Sequence, residues 1–232
     1  MTPAIGGSRR TVAVLLSTIA ILGLADVVRS VWLPTSAHVA FNLGLAAVVI
    51  GLVGMASMTT GELGLLRTDL GSGLRWGGAA FAVIAAPIVV AGLVAPGWSV
   101  FDDDRAHVGL ASLLVRVLVV IPLGTIVLEE LAFRGLLLGL FRRLTSTTWS
   151  VIAASVLFGL WHIPVAWNSS SPDQATTGRV LSVAGTVVAT TAAGVVFCWL
   201  RLRSRSLVAP MLAHLATNSV ALAVAWTVAR TA

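Results

Sequence analysis

Apolar runs separated by short polar stretches fill the chain from end to end. Seven of them, at about 11–32, 38–58, 76–96, 110–141, 149–167, 179–200 and 206–229, approach or exceed the roughly 20 residues with which an α-helix crosses a bilayer. Between them lie Gly-rich TTGELGLLRTDLGSGLRWGG at 59–78, acidic FDDDRAH at 101–107 and NSSSPDQATTGR at 168–179. These have loop composition, and none has room for a soluble domain. The pattern predicts an all-α fold, a polytopic transmembrane bundle forming one integral membrane domain over residues 1–232. The first run follows Arg9 and Arg10 as a signal peptide's apolar region would. No clear small-x-small cleavage site follows it, so it reads as the first transmembrane helix. The fourth run is overlong: at 1.5 Å per residue, 110–141 would reach about 48 Å against a hydrocarbon core of about 30 Å. Pro122 is expected to break it, leaving 110–121 as a surface or re-entrant piece; an eighth crossing would have to come from here.

Composition agrees with the pattern. The chain is 57% hydrophobic and 10% charged, with a mean hydropathy of +0.98, where a soluble domain carries about 25% charged residues. All 15 basic residues are arginine, and the net charge is +6. No basic stretch is interleaved with polar or aromatic residues in a soluble segment, so the expected partner of this charge is the anionic headgroup layer and not nucleic acid. The N-terminus, the 59–78 loop and the turns after Leu140 and Leu200 carry Arg9, Arg10, Arg67, Arg75, Arg142, Arg143, Arg201, Arg203 and Arg205. The opposite side carries only Arg29, Arg105, Arg179 and Arg230. This asymmetry predicts a cytoplasmic N-terminus in the cell membrane. Trp32, Trp76, Trp98, Trp149, Trp167, Trp199 and Trp226 fall near predicted helix ends, where indole rings favour the headgroup level; only Trp161 falls inside a span. A single cysteine, Cys198, excludes an internal disulfide and a Cys-based zinc site.

Against this background LEELAFRG at 128–135 is anomalous. A carboxylate at the bilayer centre costs roughly 2.5–3.5 kcal/mol on insertion scales, so Glu129, Glu130 and Arg134 are expected to face the bundle interior. Glu130 and Arg134 are four apart, share a helix face and can pair; Glu129, rotated about 100° away, points elsewhere. The fifth run brings Phe158 and His162 four apart, and the seventh His214 and Asn218. Counted from the arginine-rich collar, Glu129 is 13 residues from Arg142, His162 13 from Trp149, and His214 and Asn218 are 9 and 13 from Arg205. That puts all of them in one layer about 13–20 Å deep. One carboxylate, two imidazoles and an amide suit water activation. A desolvated carboxylate is an effective general base, a histidine shares the water, and further donors stabilise an oxyanion. No GxSxG motif is present, and Cys198 lies near a helix end without a matching histidine. A zinc reading competes, with His162, His214 and Glu129 as three ligands, but HExxH is absent and Arg134 is an unusual neighbour for a cation. Without the other motifs, each polar residue would read as packing or an interhelical hydrogen bonder.

The ordered set Glu129-Glu130-x-x-x-Arg134, Phe158-x-x-x-His162 and His214-x-x-x-Asn218 resembles the CPBP family, the CAAX proteases and bacteriocin-processing (Abi) membrane proteins that include the type II CAAX prenyl endopeptidase. The resemblance covers about 110–225; GELGLLR before the third run is a weaker shared feature. It implies an intramembrane endopeptidase acting on a peptide or protein substrate at the membrane, with its pocket in the cytoplasmic half of the bilayer. Glu129 would activate water, His162 would orient it, and His214 and Asn218 would form the oxyanion hole. Glu130, Arg134 and Phe158 would support them, and no cofactor is expected. The rival class is a non-proteolytic membrane protein, a proton-coupled transporter using these groups as a relay or an immunity or scaffold protein using them structurally. Elsewhere, Asp26 and Arg29 read as a helix-end pair, Arg116 as a cap or snorkel, Phe158 as packing, His38 and His107 as solvated, and Asp102–Asp104 as a solvated acidic loop.

Overall fold

A computed structural model describes residues 5–98, 101, 103–169 and 175–231. Among these residues there is no strand, and seven helices are long and apolar enough to cross a membrane. The chain is an integral, multi-pass membrane protein. The spans comprise α1 (Ile5–Val31), α2 (His38–Met55), α3 (Leu70–Val94), α4 (Leu110–Leu144), α5 (Thr147–Leu160) with α6 (Ile163–Ser169), α7 (Thr176–Ser204) and α8 (Val208–Thr231). Asp102 lies outside the described residues.

α4 is the axis of the bundle. Every residue from Leu128 to Leu140 is buried, and the cluster around them draws Val14 and Leu22 from α1, Val49 from α2 and Phe158 from α5. The expected break at Pro122 does not occur; the helix runs through it by widening. Ile121 N–H donates to Arg116 C=O and Val127 N–H to Pro122 C=O, each spanning five residues. A wider turn accommodates a ring that lacks an N–H and would clash with the carbonyl of the preceding turn. The same wide winding continues over Glu130–Leu137 and recurs at Ala216–Val220. The fifth span, expected to be continuous, is instead interrupted at residues 161–162, just before Pro164, which has no N–H to continue the ladder. α5 crosses α7 closely: a Cβ on Gly159 would meet the Thr191 hydroxyl, the small-residue contact typical of membrane helices.

Polar contacts gather at the two ends. At one end Arg143 grips the Glu62 carboxylate at 2.7 and 2.9 Å, Arg205 pairs with Asp69 at 2.9 Å, and Arg201 donates to Glu62 C=O. Trp76 meets Trp199 edge-on at 5.4 Å there. At the other end Asn168 donates to Ser30 C=O, Trp226 and Arg230 to Val108 C=O, and Arg116 to Arg105 C=O. His38 begins α2 with its ring against Leu33 C=O, so it is not a free loop side chain. Asp103 is held by Arg105 at 2.7 Å, and that hydrogen-bonded guanidinium lowers its carboxyl below the ordinary range.

The GELGLLR stretch is a docking hook. Thr59 and Glu62 cap a one-turn helix reciprocally. Gly64 ends it at φ +78°, and its carbonyl accepts from Leu207 N–H at 2.9 Å. A Cβ at Gly64 would overlap the Arg201 guanidinium, and a left-handed non-glycine residue costs about 1–2 kcal/mol before any clash. Gly64→Ala is therefore expected to lower the unfolding midpoint in detergent, whereas Gly51→Ala, in open space within α2, is expected to leave it unchanged or raise it.

Candidate active site

Glu129, in a short regular stretch of α4, and Glu130, at the start of its wide-wound part, are both buried: Glu129 is 3% exposed and Glu130 0%. Glu130 Oε1 accepts from Arg134 at 3.0 Å, the expected pair four residues apart, and lies 2.8 Å from His214 Nδ1. Arg134, fully buried, sets its guanidinium 3.9 Å from the Phe158 ring centre and 4.9 Å from that of Phe197. Its Nε and Nη2 have no hydrogen-bond partner among the described residues; the aromatic faces supply cation–π attraction in their place. Phe158 packs, as expected, and is the hub of the site, touching Phe133, His162 and His214 edge-on.

Glu129 points away from Arg134. Its Oε1 accepts from the Trp161 indole N–H at 3.0 Å. Its Oε2 is buried without a hydrogen-bond partner and lies 3.7 Å from His214 Nε2. His214 thus stands between the two glutamates, one ring nitrogen toward each. Against an ionised Glu130 its Nδ1 is the donor, which presents Nε2 to Glu129. Helices α4 and α8 and the interruption after α5 deliver these groups to one place.

His162 and Asn218 are less committed. His162 Nδ1 is 2.7 Å from Phe158 C=O; a carbonyl only accepts, so Nδ1 carries the proton and a neutral ring keeps its lone pair on Nε2. The ring is half-buried at the interruption. Asn218 Oδ1 accepts from the Thr217 hydroxyl at 3.3 Å, and no hydrogen bond from its NH₂ to the glutamates is formed. Among the described residues no three His, Cys, Asp or Glu side chains converge as a metal would require. Cys198 is buried beside the Ser155 hydroxyl, which donates to its sulfur at 3.8 Å.

Residues 109–220 match the family model described as Type II CAAX prenyl endopeptidase Rce1-like. Over this segment the chain is similar to that family. No curated protein and no solved structure matches the chain. The Rce1-like segment contains Glu129, Glu130, Arg134, Phe158, His162, His214 and Asn218 and stops two residues after the last of them. This likeness supports a membrane endopeptidase.

One site residue escaped the sequence reading. Trp161 anchors Glu129, and its signal was present as the single tryptophan away from a predicted helix end. Asp26 and Arg29 pair at 2.6 Å at the end of α1, as expected, and the pair is buried: the side chains are 5% and 12% exposed and Arg29 lies 5.0 Å from the centre of the Trp161 ring.

Proposed function

We propose that the chain hydrolyses a peptide bond within the membrane with a water activated by Glu129. The observation that carries this reading is the divided environment of that carboxylate: one oxygen is held by Trp161 N–H, and the other is buried, unpartnered and facing His214 Nε2. A fixed carboxylate with one free oxygen has the form of a general base. Glu129 Oε2 takes a proton from water as the water oxygen attacks the peptide carbonyl. The oxyanion is stabilised by the Asn218 amide and by His214 in its doubly protonated form, in which Nε2 donates to the oxyanion while Nδ1 donates to Glu130. His162 Nε2 accepts the water's second O–H and orients it. Collapse of the tetrahedral intermediate returns the Glu129 proton to the departing amine. The pocket lies in the cytoplasmic half of the bilayer, by the count from the arginine-rich end.

A proton relay is the second reading, favoured by the line Glu129–His214–Glu130 at 3.7 and 2.8 Å. Proteoliposomes separate the two. A quenched-fluorescent peptide ending in a CAAX sequence, offered with and without an S-prenyl group, is expected to be cleaved, and cleavage is expected to survive exhaustive chelation. No cleavage of either peptide, with proton flux that Glu129→Gln abolishes, would favour the relay. Cleavage lost on chelation and restored by zinc would replace the glutamate mechanism with a metal one.

A further inference from the structure

α1 lies outside the matched segment 109–220, yet it sends two of its charged residues, Asp26 and Arg29, into the bundle beside the site. Asp26 is 4% exposed and accepts from Arg29 Nη2 at 2.6 Å. A headgroup-level pair would be solvated and worth at most about 1 kcal/mol; a lipid-facing arginine would extend toward the interface. Arg29 does neither. Its guanidinium carbon sits 5.0 Å from the centre of the Trp161 ring, within the range of cation–π attraction, which strengthens when the partners are desolvated. The Phe133 ring, 5.8 Å away and steeply inclined, braces the same indole. The remaining polar group of that indole, its N–H, donates to Glu129 Oε1. Asp26, Trp161 and Phe133 also line one apolar cavity of about 300 Å³ between α1, α4 and α5, so the indole has room to turn if it is not held.

We propose that Arg29, neutralised and aimed by Asp26, is a positioning residue that fixes the Trp161 indole and through it the Glu129 carboxylate. α1 thereby completes a site whose reacting groups all belong to the Rce1-like segment. The cation draws electron density from the ring it faces, which makes the N–H a better donor, and hydrogen bonds in a low-dielectric site respond to such polarisation. Glu129 Oε1 is then engaged and Oε2 is left for water. The catalytic half of this inference rests on Glu129 as the water-activating group; the physical half, Arg29 acting on the Trp161 N–H, does not.

The test is a double-mutant cycle with a spectroscopic arm. Arg29→Met keeps the apolar stem and removes the cation. In proteoliposomes with the CAAX-terminated peptide it is expected to lower kcat about 10- to 100-fold, the scale of a positioning defect, with KM changed less than about threefold if substrate binding is untouched. Arg29→Lys, which restores a cation, is expected to recover most of the loss. In a Trp161→Phe background Arg29→Met is expected to add no further loss, because residues acting through one contact are not additive. Losses that add, or that appear in KM alone, would overturn the inference. The indole ¹⁵N–¹H resonance of Trp161, assigned by its absence in Trp161→Phe, is expected to move in Arg29→Met and in Asp26→Asn and to stay near its original position in Arg29→Lys. A resonance unmoved by Arg29→Met would also overturn it, whatever the activity. A resonance that moves in a chain whose cleavage survives Glu129→Gln would leave Arg29 as the holder of Trp161 and remove Glu129 as the base.

Discussion

Glu129→Gln is expected to abolish peptide cleavage while leaving the bundle folded, and this pairing of outcomes makes it the most informative substitution in the chain. The amide is isosteric. Its oxygen still accepts from Trp161 N–H, and its NH₂ takes the place of Oε2, which makes no hydrogen bond and lies 3.7 Å from His214 Nε2, so no bond is lost. No charge is stranded, since Arg134 is neutralised by Glu130 rather than Glu129. An amide, however, cannot take a proton from water. Loss of a positioned general base removes about 10²- to 10⁴-fold from kcat, and because the base acts in the transition state, KM is expected to change little. Unfolding midpoints in detergent, measured beside steady-state cleavage, check both halves. More than a tenth of wild-type kcat in a folded Glu129→Gln protein would remove Glu129 as the base. Trp161→Phe makes the complementary case: the base survives without its anchor, so a smaller loss is expected.

What could be read from the sequence, and what could not, divides along the helix boundary. Relations within one helix follow from spacing alone. Glu130 and Arg134 pair at 3.0 Å as their separation of four implies, and Glu129 turns away from Arg134 as its offset implies. The seven spans follow from apolar run length, and the likeness to the Rce1-like family over 109–220 from the order of three motifs. Relations between helices depend on tilt, rotation and local winding, which periodicity does not encode. Nothing in the spacing says that Trp161 donates to Glu129 or that Arg29 lies on Trp161, because each contact joins helices whose rotations are set by packing. Spacing also leaves the local winding at the two prolines open. Pro122 suggests a break where a wider turn absorbs it, while the helix is interrupted just before Pro164, within an unbroken apolar run. That stop places Trp161 and His162 at a helix terminus inside the bundle. Spacing gives the Asp26–Arg29 pair at the end of α1, but not its burial at 5% and 12%, which the rotation of α1 toward the core decides.

The largest effect on stability is expected from breaking the pair behind the site. Glu130 and Arg134 both have fully buried side chains, and removing one partner of a desolvated ion pair leaves the other charge uncompensated, at about 3–5 kcal/mol. Glu130→Gln is the cleaner probe, because it preserves shape and one acceptor. Arg134 would then keep its contacts with Phe158 and Phe197 but lose its counter-ion. His214 Nδ1 would lose the charged partner that orients the ring, so cleavage is expected to fall even where the fold survives at low temperature. The pair is also expected to be strongly coupled. With Arg134→Met added, the doubly substituted protein should be less destabilised than the sum of the single changes, since no orphaned charge remains. Denaturant unfolding of the four proteins in one detergent measures that coupling. Single substitutions costing less than about 1 kcal/mol, the value of a solvated pair, would mean that Glu130 and Arg134 are hydrated in the membrane. His214 would then be held by water rather than by a carboxylate, and its role beside Glu129 would have to be assigned afresh.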